Sequence, residues 1–291
     1  MNQNTEIESA KQEMREAKQQ AHHAATGHWM VLLARLGYIV NGVVYIIIGG
    51  LAAQLAFGHG GAATDQKGAL KTIYAEPFGR IILAIVAVGL VGYALWSFVQ
   101  ALFDTERKGK DTKGIIARVG YAVTGISYAL LAFGAFQMVM GTSSGGNSSS
   151  TTTQSWTDHL LQQPFGVVLV IIIGVGVIGL ACFFFYKAYS VNFRSHFNLA
   201  GLDPLLSKAA MTSGRLGYGA LGVDFLIVGI FLIVAALNHD PHSAKGLDTA
   251  LQTLLHQPFG PVLLTIVALG FIAYGVYSFV EARYRRIGRE Q

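Results

Sequence analysis

Asp224 is the residue from which chemistry could start. It is the one charged residue in the run Leu216 to Leu237 and stands nine positions after Arg215, about 13 Å along a helix rising 1.5 Å per residue. Inserting a carboxyl at that depth of a bilayer costs about 3 kcal/mol. Two uses justify such a group: a proton or cation site, because intramembrane ionisable residues mark permeation paths, or a protonated acid bonding neighbouring helices. Nine residues also turn about half way round a helix, so Arg215 faces away and cannot pair with it.

Further candidates come from an internal repeat. The phrase Arg-x-Gly-Tyr-x3-Gly occurs at Arg35, Gly37, Tyr38 and Gly42, at Arg118, Gly120, Tyr121 and Gly125, and at Arg215, Gly217, Tyr218 and Gly222. A second phrase, Pro77-Phe78-Gly79, Pro164-Phe165-Gly166 and Pro258-Phe259-Gly260, follows each Arg after 42, 46 and 43 residues. The chain is one unit written three times, and such self-similarity decides architecture before anything else does. Six residues after the Arg stand Asn41, Thr124 and Leu221; nine residues after it stand Val44, Ser127 and Asp224. Positions three apart share a helical face. Asp224, Asn41, Thr124 and Ser127 therefore fall in one depth band and form a candidate intramembrane polar site.

The elements that must position them are membrane helices. Of 291 residues, 52% are hydrophobic and 13% charged, where a soluble domain carries roughly 25% charged residues. Six stretches reach the ~20 apolar residues needed to cross a bilayer: Leu36 to Ala56, Ile81 to Phe103, Val119 to Met140, Phe165 to Tyr186, Leu216 to Leu237 and Pro261 to Val280. The expected fold is an all-α integral membrane protein, its six transmembrane helices arranged as three parallel two-helix repeats around a pseudo-threefold axis. Residues 1–34 read as a cytoplasmic helical or disordered segment and 35–104 as repeat 1. Residues 118–189 read as repeat 2, 190–214 as a cytoplasmic linker and 215–285 as repeat 3. Each repeat has an even number of helices, so the copies insert in the same orientation.

Seventeen of the 21 Lys and Arg fall in the amino-terminal segment, the second and fourth connections and the tail. Positive charge marks the cytoplasmic side, which places both termini in the cytoplasm and the protein in the inner, plasma membrane. The charged segment before the first apolar run is no cleavable signal. Its residues 1 to 28 carry a thin stripe of Ile7, Ala10, Met14, Ala17 and Ala21, which suits a solvated helix or a protein partner. The basic residues are spread over four juxtamembrane segments beside the lipid bilayer, a pattern that excludes a nucleic-acid face.

Within each unit the helix is expected to begin at the repeated Arg, with its charge at the headgroups. Gly42 and Gly49, Gly125 and Ala132, and Gly222 and Gly229 form stripes of small residues that permit close helix approach. Apolar pairs before each Pro-Phe-Gly predict a short amphipathic helix at the outer interface, with proline in the first turn of the helix that follows. Residues Asn198 to Met211 predict a separate helix lying on the inner surface.

Three tandem helix pairs, opened by Arg-x-Gly-Tyr and closed through Pro-Phe-Gly, resemble the bacterial membrane family known as domain of unknown function 1206. The likeness covers Arg35 to Arg285. It implies six spans in three copies and carries no activity.

No Walker loop, HExxH, Gly-x-Ser-x-Gly or CxxC occurs, so an enzyme has nothing to rest on and no cofactor is implied. His239, Asp240, His242 and His256 invite a metal, but Pro241 breaks the helix that would align them. Gln54 and Gln137 read as interfacial. The favoured reading is a structural or accessory helical bundle; the alternative is a small transporter or channel centred on Asp224.

Overall fold

The computed structural model describes residues 28–103, 112–142, 149–190 and 204–284. The amino-terminal stripe lies outside these residues. All regular structure in them is helical: α1 His28–Ala56, α2 Gln66–Ala75, α3 Gly79–Phe103, α4 Thr112–Met140, α5 Ser149–Leu161, α6 Gly166–Tyr189, α7 Pro204–Leu237, α8 Leu247–Leu255 and α9 Gly260–Tyr284. Six are long and apolar enough to cross a membrane. Each repeat thus holds a long helix, a short helix and a second long helix.

Two expected boundaries move. The first long helices begin at His28, Thr112 and Pro204, well ahead of Arg35, Arg118 and Arg215. Residues 204–211 are the first turns of α7 rather than a surface helix. Helix continues because nothing in these stretches interrupts it, Pro204 itself being tolerated at a first turn.

Pro-Phe-Gly is a turn rather than the start of a helix. The N–H of Gly79 donates to the Glu76 carbonyl at 2.7 Å, Gly166 to Gln163 at 2.9 Å and Gly260 to Gln257 at 2.7 Å. Phe78, Phe165 and Phe259 sit between them at φ of 62°, 66° and 62°. Proline followed by a positive φ makes a type II turn, a position that normally demands glycine. The glycine is needed one residue later: a Cβ on Gly79, Gly166 or Gly260 would lie 2.2, 1.9 or 1.8 Å from a carbonyl oxygen of the preceding short helix. The three phenylalanines point outward, about four-fifths exposed, where an aromatic ring suits the lipid interface. The short helices themselves pack onto the bundle: α2 buries Ala69, Leu70 and Ile73, and α8 buries Leu247, Ala250 and Leu251.

Glycine contacts fix the order of the long helices. A Cβ on Gly42 of α1 would meet Gly275 and Phe279 of α9; on Gly125 of α4, Phe98 of α3; on Gly222 of α7, Phe185 of α6. Phe98, Phe185 and Phe279 are repeat equivalents, so the same joint is made three times between units. Within units, Gly37 meets Tyr93 and Gly217 meets Tyr274 in the same way. The contacts run in opposite directions along each pair, which makes α1, α4 and α7 parallel. The helices follow the order α4, α3, α1, α9, α7, α6 around the bundle. One joint of the pseudo-threefold ring is absent: α4 and α6, the two long helices of repeat 2, do not pack along each other.

Arginines fasten the α3–α4 joint at both ends. Arg118 Nε donates to the Ala101 carbonyl at 2.6 Å and its Nη2 to Leu102 at 3.0 Å, while Arg80 Nε donates to Val139 at 2.6 Å. Each satisfies carbonyls that a helix end leaves unpaired, at the negative pole of its dipole. Arg118 is therefore a helix cap as well as an interfacial charge.

Gly260→Ala is expected to lower unfolding stability by about 2 kcal/mol, in the range of an overpacked core. Gly50→Ala, where an added methyl meets nothing within 4 Å, should be neutral or stabilising by up to about 1 kcal/mol through helix propensity. Thermal unfolding of the purified protein in detergent measures both.

Candidate functional site

The buried interior of the bundle is largely aliphatic, with tyrosines and a few polar groups set into it. Tyr45 of α1 packs edge-on to Tyr274 of α9, with centroids 4.8 Å apart, and against Phe271 at 5.9 Å. Tyr93 of α3 meets Tyr128 of α4 at 4.5 Å and Tyr38 at 5.2 Å. Tyr218 of α7 meets Tyr274 and Tyr277 of α9 at 5.5 and 5.6 Å. Hydroxyls thus reach the inside of a bundle whose outer surface is apolar.

Asn41 is the centre of one polar group. It is 1% exposed, its Nδ2 donates to Ser278 Oγ at 3.2 Å, and the Tyr128 hydroxyl donates to its Oδ1. Ser278 in turn donates to the Tyr274 carbonyl at 3.0 Å. Three long helices, α1, α4 and α9, are joined by this chain, and each of its side-chain polar atoms has a partner. A buried network of this kind fixes register in a medium where an unpaired polar group is costly.

Asp224 behaves differently. It is 6% exposed, on the face of α7 that turns to the interior, and its Oδ1 is buried with no hydrogen-bond partner among the described residues. Arg35 Nε and Trp96 Nε1 share that condition, but both belong to the end of the bundle marked by the repeated Arg. Asp224 alone stands at mid-span. It lies within electrostatic reach of Tyr45 and of Asp248 in α8. Above Tyr45, Gln66 Nε2 at the start of α2 donates to its hydroxyl at 3.2 Å. Short helices α2 and α8 therefore bring one amide and one carboxyl over the band that holds Asp224.

Of the four residues aligned by the repeat, the structure buries Asn41 and Asp224 and leaves the other two outside the cluster. Thr124 is half-buried, its Oγ1 donating to Gly120 of its own helix at 2.9 Å; Ser127 is exposed, its Oγ donating to Val123 at 2.9 Å. Their equivalents Leu221 and Val44 are buried. The difference is the missing joint of repeat 2, which would have covered that face of α4. Tyr45, Tyr128 and Ser278 carry the interior instead. Sequence offered only a partial signal for Ser278, since Ser97 occupies the same place in repeat 1 and Phe184 in repeat 2.

Position 23 after the proline is a second missed set, holding Gln100, Lys187 and Glu281. Gln100 and Glu281 are buried, and Lys187 Nζ donates to the Tyr218 hydroxyl at 2.6 Å while lying 4.0 Å from its ring centroid. Tyr218 of the repeated phrase is thus a bonding partner as well as a packing residue.

The loop that holds His239 and His242 is a turn. Asp240 accepts from Ser243 Oγ at 2.8 Å and from the His242 N–H at 3.0 Å. The Ser243 bond first, then the backbone bond, hold its carboxyl below the usual range. His256 Nδ1 is engaged with the Gln252 carbonyl at 2.7 Å. Among the described residues no three metal-donor side chains converge.

Asn41→Ala is expected to destabilise the protein by about 1–3 kcal/mol, because it strands the Tyr128 hydroxyl and removes a donor to Ser278. Ser127→Ala should fall within about 0.5 kcal/mol of wild type. Chemical or thermal unfolding in detergent separates the two.

Comparisons with known proteins agree with this architecture. No solved structure matches the chain. It is 35% identical over 266 residues to the "Uncharacterized protein YxxB" of Bacillus subtilis (strain 168), covering 91% of this chain and 95% of that one. The family model described as Domain of Unknown Function (DUF1206) matches three times, at residues 36–104, 119–190 and 216–285, one match to each repeat of the bundle. Those three matches, over six helices of membrane length, make this chain a multi-pass membrane protein of the DUF1206 family.

Proposed function

We propose that the protein is a small transporter or channel whose interior site takes a proton or a small cation at Asp224, rather than a purely structural bundle or an enzyme. One observation carries this reading: the buried, unpartnered Oδ1 of Asp224 at mid-span. A structural acid would spend its oxygens on neighbouring helices, as Asn41 does. A carboxyl left open inside a low-dielectric interior needs a proton or a cation to be stable there. Tyr45, within electrostatic reach, offers a hydroxyl oxygen and an aromatic face.

The asymmetry of Lys and Arg supports an inner-membrane protein with both termini in the cytoplasm. In this orientation Gln100, Lys187 and Glu281 lie on the cytoplasmic side of Asp224, and Gln66 and Asp248 on the other side. A protein partner for the amino-terminal segment is compatible with this reading and is not required by it.

Asp224→Asn tests the site. In liposomes the variant should lose pH-driven flux or cation binding at least tenfold while its melting temperature stays within about 2–4 °C, the shift of about 1 kcal/mol in a protein of this size. Retention of both would return the protein to the structural reading. Orientation is checked separately in a Cys182→Ser background: Lys208→Cys should label from the cytoplasmic side and His242→Cys from outside.

A further inference from the structure

Repeat 2 departs from its siblings in one respect. In repeat 1, a Cβ on Gly37 would lie 2.7 Å from Tyr93, on Gly89 2.4 Å from Val40 and on Gly92 2.5 Å from the Leu33 carbonyl. In repeat 3, Gly217 is equally close to Tyr274 at 2.6 Å and Gly270 to Ala220 at 2.4 Å. The same positions of repeat 2 are Gly120, Gly176 and Gly179, and each meets nothing within 4 Å. Val123, equivalent to Val40 and Ala220, is half exposed. The bare face of α4 also carries Thr124 and Ser127.

The outer joints of these two helices are nevertheless made. Gly125 of α4 rests on Phe98, and α4 is fastened to α3 by Arg118 and Arg80. Gly222 and Gly229 of α7 rest on Phe185 and Ile178 of α6. Two three-helix halves result, α4–α3–α1 and α9–α7–α6. They meet at α1–α9, where Gly42 and Gly275 oppose each other: a Cβ on either would lie 2.8 or 2.6 Å from the other's carbonyl oxygen. That joint lies midway along the helix order from the bare faces, and Asn41–Ser278 together with the packing of Tyr45 on Tyr274 tie it, so it is the fixed axis between the halves.

We propose that the α4–α6 seam is a lateral gate of the bundle interior, which closes by rocking of the two halves about the α1–α9 joint until α4 and α6 meet as α1 meets α3 and α7 meets α9. The occupant of each bare face is named by the pseudo-symmetry itself: Gly120 receives Leu180, the equivalent of Tyr93 and Tyr274, and Gly176 receives Val123. Leu180 is smaller than either tyrosine, so closure meets no steric objection. Open, the seam gives the interior a door to the hydrocarbon of the bilayer; closed, it covers Thr124 and Ser127 and completes the polar band around Asn41. The proposal stands on backbone packing and holds whether or not Asp224 binds a cation.

Cross-linking tests it. In a Cys182→Ser background, Val123→Cys with Gly176→Cys is oxidised in native membranes beside the control Val40→Cys with Gly89→Cys, whose helices already touch. An intramolecular disulfide is expected, slowed relative to the control by about ten- to a thousandfold, as for a minor state populated at about 0.1–10%. Gly179→Leu should leave melting temperature and monodispersity unchanged, because its site is open, yet suppress the Gly120→Cys with Leu180→Cys cross-link at least tenfold. Absence of the intramolecular bond where the control forms would overturn the gate. Disulfides formed only between molecules would also overturn it, and would assign the face to a second copy. Neither result depends on flux through Asp224.

Discussion

Close approach of backbones at glycine is the constraint from which the rest of this structure follows. Lipid tails are as apolar as the helix surfaces, so helices here gain nothing from hiding hydrophobic area and associate through van der Waals contact and hydrogen bonds instead. Gly42, Gly125 and Gly222 each admit the ring of the equivalent phenylalanine from a neighbouring unit, and Gly37 and Gly217 admit a tyrosine backbone. Where a glycine is filled, a joint exists; where it is bare, as at Gly176 and Gly179, the ring is open. Presence of the residue permits contact and does not compel it.

Tight joints also decide what the interior can hold. Helices drawn this close leave room for tyrosine rings and short polar groups, and those groups must find partners within one side-chain length or stay unpaired. Asn41 finds two, on α4 and α9. Asp224 finds none for Oδ1 among the described residues. Two polar residues in one depth band thus differ: one is spent on bonds between helices and the other keeps a buried oxygen without a partner among the described residues.

The turn that joins each short helix to its long successor shows the same economy. Phe78, Phe165 and Phe259 accept a left-handed backbone so that the following glycine can slip under a carbonyl, and the exposed ring then meets the lipid interface. A non-glycine residue at positive φ costs of order 1 kcal/mol. Repetition of that strain in all three units ties it to the fold rather than to one site.

How far the sequence reached is clear from particular residues. The repeated Arg-x-Gly-Tyr and Pro-Phe-Gly phrases determined six spans, three units and their common orientation, because hydrophobic length and an even helix count admit little else. Aligning the units also placed Asn41 and Asp224 at one depth and turned both inward. Alignment could not say that Thr124 and Ser127 would stay outside, since depth and phase belong to a single helix whereas burial belongs to its neighbour. Nor could it mark Tyr45, Tyr128 and Ser278, whose residue types are ordinary in a membrane helix until another helix brings Asn41 or Asp224 to them. Only the tertiary structure decided which five of the six equivalent joints are made, because identical glycine faces leave each joint free to form or not, and the packing of the whole ring settles which one remains open.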